Sequence, residues 1–389
     1  MAKVKNSPSG SVETQFFTFG DNGSNGLLLD CGQRFGPITV AYQTYGKLNA
    51  AHNNAILICH ALSGDAHVAG VHAEDGRLGW WEIMVGPGKA FDTAKYFIIC
   101  SNVLGGCKGT TGPASLNPAT GEPYALNFPV ITIEDMVRVE RRLLDHLGIR
   151  RLLTVVGGSM GGMQALCWSS LYPEMVASAI PIATAPALTA QGIAWDEIGR
   201  RAIMADPAWD KGNYYAPGHP RPEAGLAVAR MVGHITYLSE PSMELKFGRR
   251  LQHRESYNFS FNPEFQIESY LEHQGIAFNN RFDANSYLYI TKAMDYFDFT
   301  RGSGDLAPAF QATTAKFLFI SFSSDWLYPP SQSKMMVKAL ESNRQLVYYL
   351  NIESLHGHDS FLLEADQQSS RITTFLEEIF SEDTKANLQ

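Results

Sequence analysis

The chain has 389 residues, 45% of them apolar and 18% charged, with 31 basic against 39 acidic side chains for a formal net charge of −8. That composition supports a substantial buried core, and an acidic balance without a Lys/Arg cluster argues against a nucleic-acid partner. No run of about 18 apolar residues occurs and the N-terminal MAKVKNSPSGSVETQ has no apolar signal segment, so no membrane span is expected and the cytoplasm is the expected compartment.

Residues 1–15 are polar and rich in Ser, Gly and Lys, which predicts a flexible lead-in with order starting near Phe16. Short apolar runs then alternate with turn clusters at Gly26 to Leu29, Ile38 to Tyr45, Ala55 to Cys59 and Tyr96 to Ser101. The last two are apolar without alternation, as suits strands buried on both faces of a parallel sheet. Between Thr132 and Leu147 the apolar spacing becomes helical, and Thr132 with Asp135 three residues later predicts a capped start. Leu152 to Val156 reads as a strand, followed by glycines and a helix, and a further apolar run spans Met175 to Ala183. The strand–helix alternation stops near residue 186. Residues 186–300 carry long amphipathic stretches such as Glu223 to Leu238 and Pro263 to Gly275, which predict a helical cap inserted into the core. Alternation resumes with Lys316 to Ser321, a helix near Ser331 to Glu341, Leu346 to Leu350, and a last helix near Phe361 to Ile379, with a frayed tail after Ser381. The expected organisation is therefore an α/β core over 16–185 and 301–380, with the cap at 186–300. The five cysteines lack C-x-x-C spacing, and Cys59, Cys100 and Cys167 lie in apolar runs, as expected of reduced core residues.

The chemistry centres on Gly157-Gly158-Ser159-Met160-Gly161, a G-x-S-x-G segment between a predicted strand and a predicted helix. This pattern puts a serine on a sharp strand-to-helix turn, the nucleophile elbow of the α/β-hydrolase fold, with a mostly parallel sheet and helices on both faces. A serine hydroxyl is a poor nucleophile and needs a base, which in turn needs an acid to hold its tautomer. In this fold both follow the serine: Asp325 comes directly after a late strand, past the cap. His358 and His356 both lie in the loop after the last strand, and His358, directly before the final helix, is the expected base. The oxyanion donors expected are the backbone N–H groups of Met160, next to the nucleophile, and of Leu62 in His60-Ala61-Leu62-Ser63-Gly64-Asp65, an early strand-to-helix loop. His60 and Asp65 are expected to brace that loop. No H-E-x-x-H and no phosphate-binding glycine motif occurs, so no metal or resident cofactor is expected.

Five segments together resemble the homoserine O-acyltransferase family: His60 to Asp65, Gly105-Gly106-Cys107-Lys108-Gly109-Thr110-Thr111-Gly112-Pro113, the elbow from Gly157 to Leu166, Ser324-Asp325-Trp326-Leu327-Tyr328-Pro329, and Gly357-His358-Asp359-Ser360-Phe361-Leu362. The resemblance runs over nearly the whole chain, with Ser63, Thr110 and Ser360 as small departures. It implies a ping-pong transfer of an acetyl group from acetyl-CoA, a co-substrate, to L-homoserine, a step toward methionine. It also implies an amino-acid pocket with Asp359 for the ammonium, Arg230 for the carboxylate and Tyr237 beside them, and a homodimer. Members using succinyl-CoA carry an arginine two residues after the acid, where this chain has Leu327, which points to acetyl. Three other readings stand beside this one: an ester hydrolase with the same triad, acyl transfer to serine on the same anchors, and a non-catalytic protein of the same fold, against which the complete triad argues.

Overall fold

The computed structural model describes residues 7–21 and 25–386. Its main sheet takes β1 (Gln15–Phe19), β2 (Ile38–Tyr45), β3 (Ala55–Cys59), β4 (Phe97–Ser101), β5 (Thr154–Gly158), β6 (Ser178–Ile182), β7 (Lys316–Phe322) and β8 (Val347–Ile352) in the order β1-β2-β4-β3-β5-β6-β7-β8. All pairings from β4 to β8 are parallel, and β1 and β2 add an antiparallel edge. Every residue of β3, β5 and β6 is buried, because both faces of the sheet are covered.

The helices are α1 (Ile133–His146), α2 (Met160–Leu171), α3 (Ala190–Ala205), α4 (Glu223–Tyr237), α5 (Glu240–Lys246), α6 (Gln266–Asn279), α7 (Ala284–Tyr296), α8 (Leu306–Phe310), α9 (Pro330–Ser342), α10 (Ser360–Leu363) and α11 (Ala365–Ala386). Thr132 caps α1 through the Asp135 amide while the Asp135 carboxylate accepts from the Thr132 amide, as the sequence predicts. One apolar cluster joins α1, α2 and α9 on one face of the sheet to Leu226, Phe278 and Tyr287 of the helices between β6 and β7. The inserted helices thus share a continuous core with the sheet. A second cluster fills the other face with Ile372, Phe375 and Leu376 of α11 and with Trp81, Met84 and Phe91. No helix among the described residues is long and apolar enough to cross a membrane.

Several expectations need correction. The lead-in is ordered from Ser7 onward: Ser11 and Val12 pair in parallel with Val71 and His72, and the Ser7 hydroxyl donates to Glu82 at 2.7 Å. Residues 1–6 lie outside the described residues. Leu27 and Leu28 do form a strand, but in a separate two-stranded ribbon with Arg34 and Phe35. The strand that completes the sheet edge is β1, whose half-exposed pattern on an edge gives no clear alternation. After β3 the chain runs through turns rather than a helix, and the fully buried Trp81 fills that place, donating to the Phe361 carbonyl. The last helix breaks at Glu364, which leaves helical geometry, and the Gln368 amide takes up the freed Phe361 and Glu364 carbonyls. The tail expected to fray after Ser381 is helical to Ala386.

Glu140 on α1 is buried in this core, accepting from the Trp168 indole at 2.7 Å and lying beside the Cys59 thiol. Burial pushes its carboxyl up to about 7 from 4.5. An acid that binds its proton more tightly when folded makes stability fall as pH rises between those two values. Glu140→Gln is therefore expected to flatten that fall and to raise stability at pH 8 by about 3 kcal/mol, with little change at pH 4. Denaturant titrations of both proteins at the two pH values measure this.

Candidate active site

The register of the sheet brings the chemistry together. Cys59 of β3 pairs with Gly157 of β5, Gly158 with Ile182 of β6, Ile182 with Ile320 of β7, and Phe322 of β7 with Ile352 of β8. The carboxyl ends of these strands are level, so the loops that follow them emerge on one side.

Ser159 sits where β5 turns into α2, with φ 58° and ψ −124°, a strained conformation for a residue with a side chain. The strain is held in place by backbone bonds: the Ser159 amide donates to the Ile182 carbonyl at 2.9 Å, and the Thr184 hydroxyl donates to the Ser159 carbonyl at 2.8 Å. The turn also needs its glycines. A Cβ on Gly157 would meet the Gly161 backbone, and one on Gly161 would strike the Cys59 carbonyl oxygen. Gly161→Ala is accordingly expected to destabilise the protein by roughly 1–3 kcal/mol, read as a drop in the midpoint of denaturant unfolding.

Asp325 follows β7 and is 2% exposed. Its Oδ1 accepts from the amides of Leu327 and Tyr328 at 3.0 and 2.9 Å, and its Oδ2 faces His358 Nδ1 at 2.8 Å. Both carboxylate oxygens are thus fixed, and the imidazole presents its other nitrogen away from the acid. The His358 ring lies among Tyr328, Phe361 and Tyr237, with centroids 5.1, 5.4 and 6.1 Å away. His356 is half exposed and turns toward Glu364 at 3.9 Å, away from Asp325. Ser159 and His358 line one cavity of about 330 Å³, together with Leu62, Arg230, Tyr237 and Asp359. Of the other sequence-predicted residues, Asp325 meets this cavity only through His358, and Leu327 lines a smaller one that also opens on Ser159. Met160 begins α2, where an N–H has no partner within the helix.

The loop carrying Leu62 is braced as expected. His60 Nε2 accepts from the Val103 amide at 3.1 Å, which leaves Nδ1 to donate to the Ala61 carbonyl at 2.7 Å, and burial lowers the affinity of this imidazole for a second proton. Asp65 accepts from the Arg77 guanidinium and the His67 amide.

Arg230 and Asp359 face the same cavity with opposite charge and form no ion pair with each other or with any other described residue. Arg230 instead lies over the Phe278 and Tyr237 rings, at 4.7 and 5.4 Å. Burial raises the Asp359 carboxyl, tempered by His358 and Arg230. Residues that sequence reasoning did not single out also converge here. Arg281, beside Arg230, donates to the Ser63 carbonyl at 2.9 Å and is brought down to about 10 by burial and by its fellow arginine. Tyr328 places its phenol within reach of the Ser159 side chain, and burial keeps that phenol protonated. Tyr328 stands three residues past Asp325 and was findable on that ground; Arg281 carries no local signal.

The strand order, the strained serine at the end of β5 and the Asp325–His358 pair on the loops after β7 and β8 define a nucleophile-elbow protein of the α/β-hydrolase class. The family model of the alpha/beta hydrolase fold matches residues 54–365. A homoserine O-acetyltransferase of Methanohalobium evestigatum is 56% identical over 374 residues, 96% of this chain and 75% of that protein. The crystal structure of homoserine O-acetyltransferase from Bacillus anthracis superposes with a TM-score of 0.86 at 31% identity, covering 94% of this chain and 97% of that one. That of esterase E22 gives 0.84 at 31%, covering 94% and 100%. This chain belongs to the homoserine O-acetyltransferase family.

Proposed function

We propose that the protein transfers the acetyl group of acetyl-CoA to the hydroxyl of L-homoserine through an acyl-enzyme on Ser159. The observation that carries this reading is the unpaired Arg230 and Asp359 in the cavity of Ser159: a fixed cation and a fixed anion suit an amino acid, and a simple ester needs neither.

His358, oriented by Asp325, takes the Ser159 proton as Oγ attacks the thioester carbonyl. The oxyanion is received by the Leu62 and Met160 amides. The C–S bond then breaks, and the thiolate of CoA leaves with the proton from His358. Homoserine enters with its carboxylate on Arg230, its ammonium on Asp359 and Tyr237 alongside. Its hydroxyl gives a proton to His358 and attacks the acyl-enzyme, releasing O-acetyl-L-homoserine and restoring Ser159. The chain's own side chains supply this chemistry, with CoA as a co-substrate and no resident cofactor. Residues 186–300 act as the cap, tied to the catalytic loops where Trp326 donates to the Leu238 carbonyl and Ser239 to the Leu355 carbonyl. Such a cover favours homoserine over water in the second half-reaction. We place the enzyme in the cytoplasm as a homodimer, and exposed Ile198, Val228, Ile235 and Ile276 on the cap helices provide apolar surface for a second copy.

Ser159→Ala is expected to lower turnover by roughly 10⁶-fold with the fold intact. Arg230→Ala and Asp359→Ala are expected to lower kcat/KM for homoserine by roughly 10- to 100-fold while acylation by acetyl-CoA survives. Release of CoA from acetyl-CoA and succinyl-CoA, with and without L-homoserine and with products identified by mass, tests the whole scheme. Homoserine-dependent release giving O-acetylhomoserine supports it; release indifferent to homoserine makes the protein an ester or thioester hydrolase.

A further inference from the structure

Arg77, Arg230 and Arg281 all line the larger cavity, against the single carboxyl of Asp359. Arg77 is paired with Asp65 at 2.7 Å and Asp75 at 3.1 Å. Arg230 and Arg281 have no acidic partner among the described residues, and the bond from Arg281 to the Ser63 carbonyl is the one hydrogen bond that either guanidinium makes there. Both converge on one ring: the Arg230 guanidinium lies 4.7 Å, and that of Arg281 5.1 Å, from the centroid of Phe278. Packing builds this convergence. Helices α4 and α6 approach so closely that a Cβ on Gly275 would strike Ala227, and the Asn279 amide group donates to the Glu223 carbonyl at 2.9 Å. The turn that follows α6 is fixed in its own right, because the Arg281 and Phe282 amides both donate to the Phe278 carbonyl. Like charges held together away from water repel, and burial and Arg230 accordingly bring Arg281 down to about 10. Asp65 bears on Arg281 but is already held by Arg77, and the Tyr237 phenol feels Arg230, Asp359 and Arg281 together. No cation lines the smaller cavity, where Asp196 of α3 is the charged side chain and its Oδ2 has no hydrogen-bond partner among the described residues.

Resting on the acetyl-transfer reading above, we propose that Arg281 is a second anchor for the acceptor, whose carboxylate lies between Arg230 and Arg281 and accepts hydrogen bonds from both. Of the groups that either substrate brings close to Ser159, this carboxylate is the one anion, because the phosphates of CoA stand a whole pantetheine arm from the thioester. Placed there, it relieves the repulsion between the guanidinium groups and gives each the charge-assisted bonds it otherwise lacks. Arg281 keeps its bond to the Ser63 carbonyl, next to the Leu62 amide proposed for the oxyanion. The anchor for the acceptor and the loop that receives the oxyanion are thereby tied together.

The test compares L-homoserine with L-homoserinamide, which keeps the shape of the acceptor and loses the negative charge. For each, kcat/KM is measured at saturating acetyl-CoA, with products identified by mass, in wild type, Arg281→Met and Arg281→Gln. In a ping-pong scheme these values report the second half-reaction alone. Wild type is expected to prefer homoserine, and both variants to reduce that preference by about tenfold or more, with the loss falling on homoserine. Part of Arg281 remains open to solvent, so neither change opens a void in the core. Equal loss for both acceptors overturns the proposal and leaves Arg281 as a brace for the Ser63 loop. An unchanged preference in the variants also overturns it, as does a wild type that treats the two acceptors alike. A wild type that forms no acetylated product with homoserine strikes the acetyl-transfer reading itself, which sets that failure apart from the others.

Discussion

The tight approach of β5 and α2 to the end of β3 is the constraint on which the site depends. Gly161 lies so close to the Cys59 carbonyl that no side chain fits there, and this closeness turns the chain sharply at Ser159. The strain at that residue persists because the sheet over-determines it through Ile182 and Thr184. The same approach sets the His60–Asp65 loop, which follows Cys59, beside the start of α2, so the serine and both proposed oxyanion donors are positioned by one contact.

A parallel sheet in level register extends this arrangement outward. Asp325 and His358 come from loops 33 residues apart in sequence, yet they meet at 2.8 Å because β7 and β8 are neighbours that end together. The two amides that fix the other Asp325 oxygen belong to Leu327 and Tyr328, so the turn that orients the acid also aims two wall residues of the smaller cavity. The helices between β6 and β7 then close the top. They are no loosely tethered lid: their apolar residues continue the core of the sheet, and hydrogen bonds from Ser239, Arg281 and Trp326 join them to the loops around Ser159.

Within that enclosure, unpaired charge is distributed unevenly. The larger cavity holds Arg230 and Asp359 apart, in a form suited to a zwitterion, while the smaller holds one unpartnered carboxyl against an apolar wall. The two cavities meet at Leu62, Ser159 and Tyr237, so groups of different polarity reach the same hydroxyl.

By itself the sequence determined everything set by local pattern. The buried strands of the sheet, the Thr132 cap and the elbow glycines follow from periodicity and backbone sterics acting over a few residues, and the order of Ser159, Asp325 and His358 is the one the α/β-hydrolase fold implies. The edge strand β1, the turns that replace a helix after β3 and the break at Glu364 escaped that reading, because each is fixed by a distant partner: β2, the cavity that Trp81 fills, and the Gln368 amide. The choice between His356 and His358 was visible as position, but their different partners, Glu364 and Asp325, exist only in the folded chain. Arg281 and Asp196 belong wholly to the tertiary structure. Arg281 lies in the turn between α6 and α7 and Asp196 on α3, and at neither place does a charge have meaning until packing decides which side chains lose their water.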